Sequence, residues 1–135
     1  LGVLLKINMT IAQIIIILIM VESGGDDRAI GDNGLSWGPL QISQAYVDDA
    51  NQHAGTSFVH ADAFDRPKAT AMFRAYMDRY ATERRLGHTP TLEDICRIHN
   101  GGPNGWKRSS TDAYWAKVQE MGARLGIGLG QRLTF

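Results

Sequence analysis

Residues 21–42 read VESGGDDRAIGDNGLSWGPLQI, and they join two very different kinds of chain. Upstream, residues 7–21 (INMTIAQIIIILIMV) are strongly apolar. Asn8, Thr10 and Gln13 interrupt a run already shorter than the roughly 20 residues that a membrane span needs, so a transmembrane helix is rejected. A signal peptide, with Lys6 ahead of the apolar run, would need a small-x-small cleavage site; none follows, and processing near Ser23 would detach Glu22. The expectation is a buried core helix, against the strand propensity of Ile14–Ile17 taken alone. Downstream, Ser23 to Gly38 holds five glycines and reads as a loop with a short hairpin.

This junction sets two carboxyl groups in opposite surroundings. Glu22 stands at the C-terminal end of an apolar helix, where the partial negative charge of the helix dipole and the dry setting both disfavour the carboxylate. A carboxyl that keeps its proton can donate it to a leaving oxygen. Asp32 lies among Gly31, Asn33 and Gly34, where exposed backbone amides and water stabilise its charge. Two carboxyls whose environments separate their protonation are the working pair of glycoside hydrolysis, one as acid and the other as base or nucleophile. Asp26 and Asp27 are closer to Glu22 in sequence and read as solvated loop charges.

Further along, Pro39 is suited to the first turn of a second helix running through Ile42, Ala45 and Tyr46 to about Ala50. Asp65 or Arg66 precedes Pro67, and Ala71, Phe73, Ala75, Tyr76, Met77 and Tyr80 keep helical spacing until Gly87, which predicts the longest helix of the chain. Thr89-Pro90 or Thr91, the latter with Asp94 three residues on, can cap a short helix ending before Asn100-Gly101-Gly102-Pro103. Thr111 starts a final helix carrying Ala113, Tyr114, Val118 and Met121 and stopped near Gly122–Gly126. The sum is one mainly helical domain over residues 1–135 with a small irregular or β-like lobe.

Fourteen basic and fourteen acidic residues cancel, which disfavours a nucleic-acid binder. Residues 1–65 carry Lys6 and Arg28 against eight acidic groups, and the rest of the chain is correspondingly basic. The bland reading, solvated faces of opposite sign, outweighs an attraction across a cleft. The lone Cys96 excludes an intramolecular disulfide and, between Ile95 and Ile98, reads as a buried thiol rather than a nucleophile paired with His99. His53, His60 and His99 lack zinc-ligand spacing, and a calcium loop beginning at Asp26 would put Arg28 and Ile30 at ligand positions. Gly126-Ile-Gly-Leu-Gly130 follows a helix and does not match a dinucleotide fingerprint. Trp37, Trp106 and Trp115 suit core packing better than stacking on sugars, and the glycines of residues 101–105 fit equally a close approach to a sugar or a helix stop.

In this order ESGG (22–25), AIGDNG (29–34) and SWGPLQI (36–42) resemble the invertebrate-type (destabilase) lysozyme family. RIHNGGPNG (97–105), followed by Tyr114-Trp115, is similar to that family's late motif. The looser Glu-Ser-Gly with Gly-Pro-Leu-Gln-Ile also resembles soluble lytic transglycosylases. The resemblance covers roughly residues 20–50 and 95–118. It implies a lysozyme-like α+β fold, mainly α, acting on peptidoglycan glycan strands at the β-1,4 bond between N-acetylmuramic acid and N-acetylglucosamine. It implies Glu22 as general acid, Asp32 as nucleophile, and Ser36, Gln41, Tyr46, His99, Asn100 and Gly101 as substrate-binding residues, with no cofactor and no metal. A secreted, periplasmic or phage-associated location is expected. The family is rich in disulfides, from which this chain departs, and no residues here match its isopeptidase activity. Two rivals stay open: a lytic transglycosylase using Glu22 alone, and a non-catalytic glycan-binding module.

Overall fold

The computed structural model describes residues 2–127, and the side chains of residues 11–127. The expected core helix is present as α1 (Gly2–Ser23). Ile14, Ile17 and Leu18 are completely buried and Ile15 and Ile19 nearly so, each such side chain contributing about 1.5–3 kcal/mol of apolar burial. Tertiary packing of Ile14, Ile15 and Ile17, with Ile16 left exposed, overrides the strand propensity of the run. Gly24, at φ +63, ends the helix by donating its N–H to the carbonyl of Met20 at 3.1 Å.

The glycine-rich stretch forms the small lobe. Strands β1 (Ile30–Gly31) and β2 (Ser36–Trp37) pair antiparallel, Ile30 opposite Trp37 and Gly31 opposite Ser36. The connection carries Asp32, Asn33 and Gly34, all with left-handed backbone. The second helix does not begin at Pro39. Trp37 and Ile42 exchange both backbone hydrogen bonds and Gln41 adopts φ +53, which closes residues 38–41 into a turn. Helix α2 (Gln44–Ala54) starts only after Ser43, whose side chain accepts from the Tyr46 N–H.

Helix α3 (Arg66–Tyr80) starts as expected, with Asp65 accepting from the Lys68 N–H at 3.0 Å and Pro67 in the first turn. It is shorter than predicted and is not the longest helix. Ala81 leaves helical backbone, and Thr82 caps a separate turn, α4 (Glu83–Leu86), before Gly87. The longest helix is α1, at 22 residues. Helix α5 (Leu92–Gly101) carries the full capping box, Thr91 and Asp94 each accepting from the other's N–H. It runs through Asn100 and Gly101, beyond its expected end, because the first residue to leave helical backbone is Gly102 at φ +84. Helix α6 (Asp112–Arg124) begins one residue after Thr111, whose hydroxyl instead donates to the Gly105 carbonyl at 2.8 Å.

Helix α2 packs on α3, while α1 packs on α5 and α6. Phe73, Met72, Leu40, Ile42, Leu92, Ile98 and Val118 fill the space between them. The fold is α+β, mainly α, with the two short strands at one side. Among the described residues, no helix is long and apolar enough to cross a membrane. Residues 128–130 of the glycine run near the C-terminus lie outside the described residues.

Candidate active site

Glu22 occupies the last turn of α1, where Ser23 donates back to the Ile19 carbonyl at 2.9 Å and Gly24 turns the chain away. The backbone beneath the carboxyl is therefore held from inside the core. Its side chain is 18% exposed. From α6, the Tyr114 hydroxyl donates to Glu22 Oε2 at 2.9 Å. From α5, His99 Nε2 lies 3.3 Å from the same oxygen.

His99 is itself fixed on two sides. Nε2 is 2.9 Å from the carbonyl oxygen of Leu40 and Nδ1 is 2.9 Å from the Tyr46 hydroxyl. A carbonyl can only accept, so Nε2 carries a hydrogen, and in the neutral imidazole Nδ1 then accepts from Tyr46. Tyr46 stacks on Tyr76 with ring centroids 3.8 Å apart, and Phe73 meets the imidazole edge-on. Burial pushes both phenols well above the ordinary tyrosine range. The Glu22 charge adds to this at Tyr114, and Tyr76 followed by Glu22 at Tyr46. Both tyrosines therefore remain hydrogen-bond donors.

Asp32 sits on the hairpin, exposed, with φ +51 and no side-chain hydrogen bond among the described residues. Its backbone is held from below. Gln41 Nε2 donates to the carbonyls of Ala29 at 3.1 Å and Gly38 at 3.0 Å, and Gly31 packs directly against the Gln41 amide, leaving no room there for a Cβ. Trp37 Nε1 donates to the Gly34 carbonyl at 2.8 Å. Glu22 is thus enclosed and hydrogen-bonded while Asp32 faces water, the contrast read from their sequence neighbours.

The other sequence-designated residues divide into groups. His99 and Tyr46, only 8% exposed each, stand behind Glu22. Gln41 ties the hairpin to the turn after it, and Ser36 is the cross-strand partner of Gly31. Asn100 is exposed next to His99. Gly101 packs so tightly on Thr111 that a Cβ there would meet Thr111 Cγ2 at 2.5 Å, and Gly105 abuts the Arg97 carbonyl, so both serve close chain packing. Asp26 accepts from the Arg28 N–H, and Asp27 is paired with Arg66 from α3. Trp115 is buried in the core, and Trp37 stacks face to face on His60 at 3.7 Å. Cys96 is a free, buried thiol pushed up by burial. No group of potential metal ligands assembles among the described residues.

Two groups in the cluster around Glu22 are not marked as site groups by the sequence. The Leu40 carbonyl has no signature at all, being backbone. Tyr114 had one: it lies in the late motif, but its helical spacing marks only a core position.

An apolar helix delivers a carboxyl to a polar cluster beside a small hairpin, in a helical α+β fold that is shared with lysozymes of known structure. The model of the Destabilase family matches residues 12–121. The chain is 41% identical over 109 residues to a lysozyme of Magallana gigas, covering 78% of this chain and 75% of that protein. It is 39% identical over 106 residues to Lysozyme 1 of Crassostrea virginica, covering 76% of this chain but only 54% of that relative's length. The crystal structure of Tapes japonica lysozyme superposes with a TM-score of 0.71 at 31% identity, covering 86% of this chain and 94% of that one. A chain in the crystal structure of Aeromonas hydrophila PliI in complex with Meretrix lusoria lysozyme gives the same TM-score and identity. The chain belongs to the destabilase, or invertebrate-type lysozyme, family.

Proposed function

We propose that this chain is a lysozyme-type glycoside hydrolase that cuts the β-1,4 bond between N-acetylmuramic acid and N-acetylglucosamine in peptidoglycan. The observation that carries this reading is the setting of Glu22: a carboxyl at the end of a buried helix, oriented by a hydrogen bond from Tyr114, with His99 Nε2 3.3 Å from the same oxygen. In its protonated form Glu22 donates to the glycosidic oxygen as the bond to the anomeric carbon breaks. Asp32 attacks that carbon to form a glycosyl ester. Glu22, now a carboxylate, takes a proton from the water that releases the sugar with its configuration retained. Ser36 and Asn100, partly or fully exposed, are available to the sugar.

The test is Glu22→Gln, assayed for clearing of purified cell walls. The amide keeps shape and hydrogen bonding but has no acidic proton, and the expected loss is on the order of 10²–10⁴-fold with glycan binding retained. Activity above about a tenth of the parent rate rules Glu22 out as the acid. Unimpaired binding by a parent protein that does not clear walls would identify a glycan-binding module instead.

A second reading, lytic transglycosylation by Glu22 alone with the muramyl 6-hydroxyl as nucleophile, is favoured by one observation. The Asp32 carboxylate is exposed and no described side chain orients it.

A further inference from the structure

Oxygen Oε2 of Glu22 receives the Tyr114 hydroxyl at 2.9 Å and lies 3.3 Å from the Nε2–H of His99, whereas Oε1 has no hydrogen-bond partner among the described residues. Three helices converge on this one atom: α1 presents it, α6 supplies the phenol and α5 the imidazole. Oε2 already accepts from Tyr114, so a proton on the open Oε1 leaves that bond undisturbed, whereas a proton on Oε2 would compete for the same atom.

We propose that Tyr114 is a positioning residue for Glu22, holding the carboxyl by Oε2 so that the transferable proton resides on Oε1. This rests on the reading of Glu22 as the general acid. In the first step the Oε1–H bond breaks, the proton passes to the glycosidic oxygen, and the bonding pair stays on Glu22 as a carboxylate. The charge-assisted bond from Tyr114, already in place, stabilises that carboxylate without reorganisation. In the second step Oε1 recovers a proton from water. Tyr114 never touches the sugar in this scheme. It prevents rotation of the carboxyl, which would exchange the two oxygens and turn the proton toward the protein.

Tyr46 and Leu40 act one layer further out. Leu40 accepts from Nε2–H and Tyr46 donates to Nδ1, so the nitrogen 3.3 Å from Oε2 carries a hydrogen, bonded to Leu40, rather than a lone pair that would repel the carboxylate. The opposite tautomer would set a nitrogen lone pair against both the Leu40 carbonyl and the Glu22 carboxyl.

The experiment compares the full chain with Tyr114→Phe and Glu22→Gln on soluble peptidoglycan fragments, measuring kcat, KM and melting temperature for each. Tyr114→Phe retains the ring and deletes one charge-assisted hydrogen bond. It is expected to lower kcat roughly tenfold to a hundredfold. KM should stay within about twofold and the fold intact, a split that a merely structural tyrosine would not produce. Parent-like kcat in Tyr114→Phe while Glu22→Gln is inactive overturns the positioning role and leaves Glu22 as the acid. An active Glu22→Gln overturns the acid assignment itself. Should Tyr114→Phe fail to fold, the Tyr114 hydroxyl proton decides by NMR in the other two proteins: its resonance should shift in Glu22→Gln, and an unshifted one overturns the proposal. Nitrogen-15 NMR of neutral His99 should show hydrogen on Nε2, and hydrogen on Nδ1 overturns the outer layer.

Discussion

Gly38 lies against the carbonyl group of Ala63 so closely that the space a Cβ would need is already occupied by that oxygen and carbon. Gly38 also has φ +83, a conformation L-residues with side chains rarely adopt. Its N–H donates to Ala29 at 2.8 Å and its carbonyl accepts from Gln41. This one residue joins the Asp32 hairpin to the turn before α2 and to the 3-10 turn over residues 60–64.

Gly38→Ala is accordingly expected to destabilise the fold by about 3 kcal/mol, combining positive-φ strain with overpacking. The melting temperature should fall by roughly 10 °C. Gly55→Ala is the control, because Gly55 is also left-handed, at φ +69, but has open space around it. It should cost only about 1 kcal/mol. Equal melting temperatures for the two variants would show that the Ala63 contact yields without cost.

Alkaline pH should unfold the protein through its tyrosines. All four are pushed above the ordinary tyrosine range, with burial the first cause in each and Tyr76 reaching about 12. A group whose affinity for its proton is higher in the folded state adds stability that is complete below its unfolded value, near pH 10, and is lost as pH climbs through the folded values. Melting temperature should be flat with respect to these groups up to about pH 10 and fall steeply beyond it. Tyrosinate absorbance should rise together with the loss of near-ultraviolet circular dichroism. A set of tyrosines titrating near pH 10 in a protein that stays folded would refute the buried, donor-only account of Tyr46 and Tyr114.

Asp32→Asn decides between the two catalytic readings. A retaining hydrolase brings its carboxyls to about 5–5.5 Å, so on that reading the Asp32 carboxylate must reach the anomeric carbon from the hairpin. On the hydrolase reading, Asp32→Asn loses at least about a hundredfold in kcat, and the products from the parent carry reducing muramic acid ends in the β configuration. Products bearing 1,6-anhydromuramic acid, with Asp32→Asn cleaving at the parent rate, would reduce the catalytic set to Glu22 and establish a transglycosylase.

Much of the architecture was legible because its signals are local. The capping box of Thr91 and Asp94, the Asp65-Arg66-Pro67 start of α3, and the glycine-rich hairpin each depend on residues within one turn of one another, and all three formed. Pro39 misled because its fixed backbone angle suits a turn as well as a helix start, and the exchange of hydrogen bonds between Trp37 and Ile42 selected the turn. The length of α3 misled because Gly87 reads as its stop, whereas the backbone already breaks at Ala81 and Gly87 ends the separate turn α4.

The sequence by itself determined that a carboxyl would stand at the end of an apolar helix and another on a polar glycine-rich hairpin, since both environments are built from neighbours in the chain. Only the tertiary structure decided what touches Glu22. Tyr114 is 92 residues away, and His99 meets Leu40 across 59 residues and Tyr46 across 53. Such contacts arise from the docking of α1, α2, α5 and α6 around a shared core, and no periodicity or cap encodes them. The orientation of the Glu22 carboxyl is a property of that docking, because a hydrogen bond needs atoms placed to within a few tenths of an ångström and packed helices hold them there.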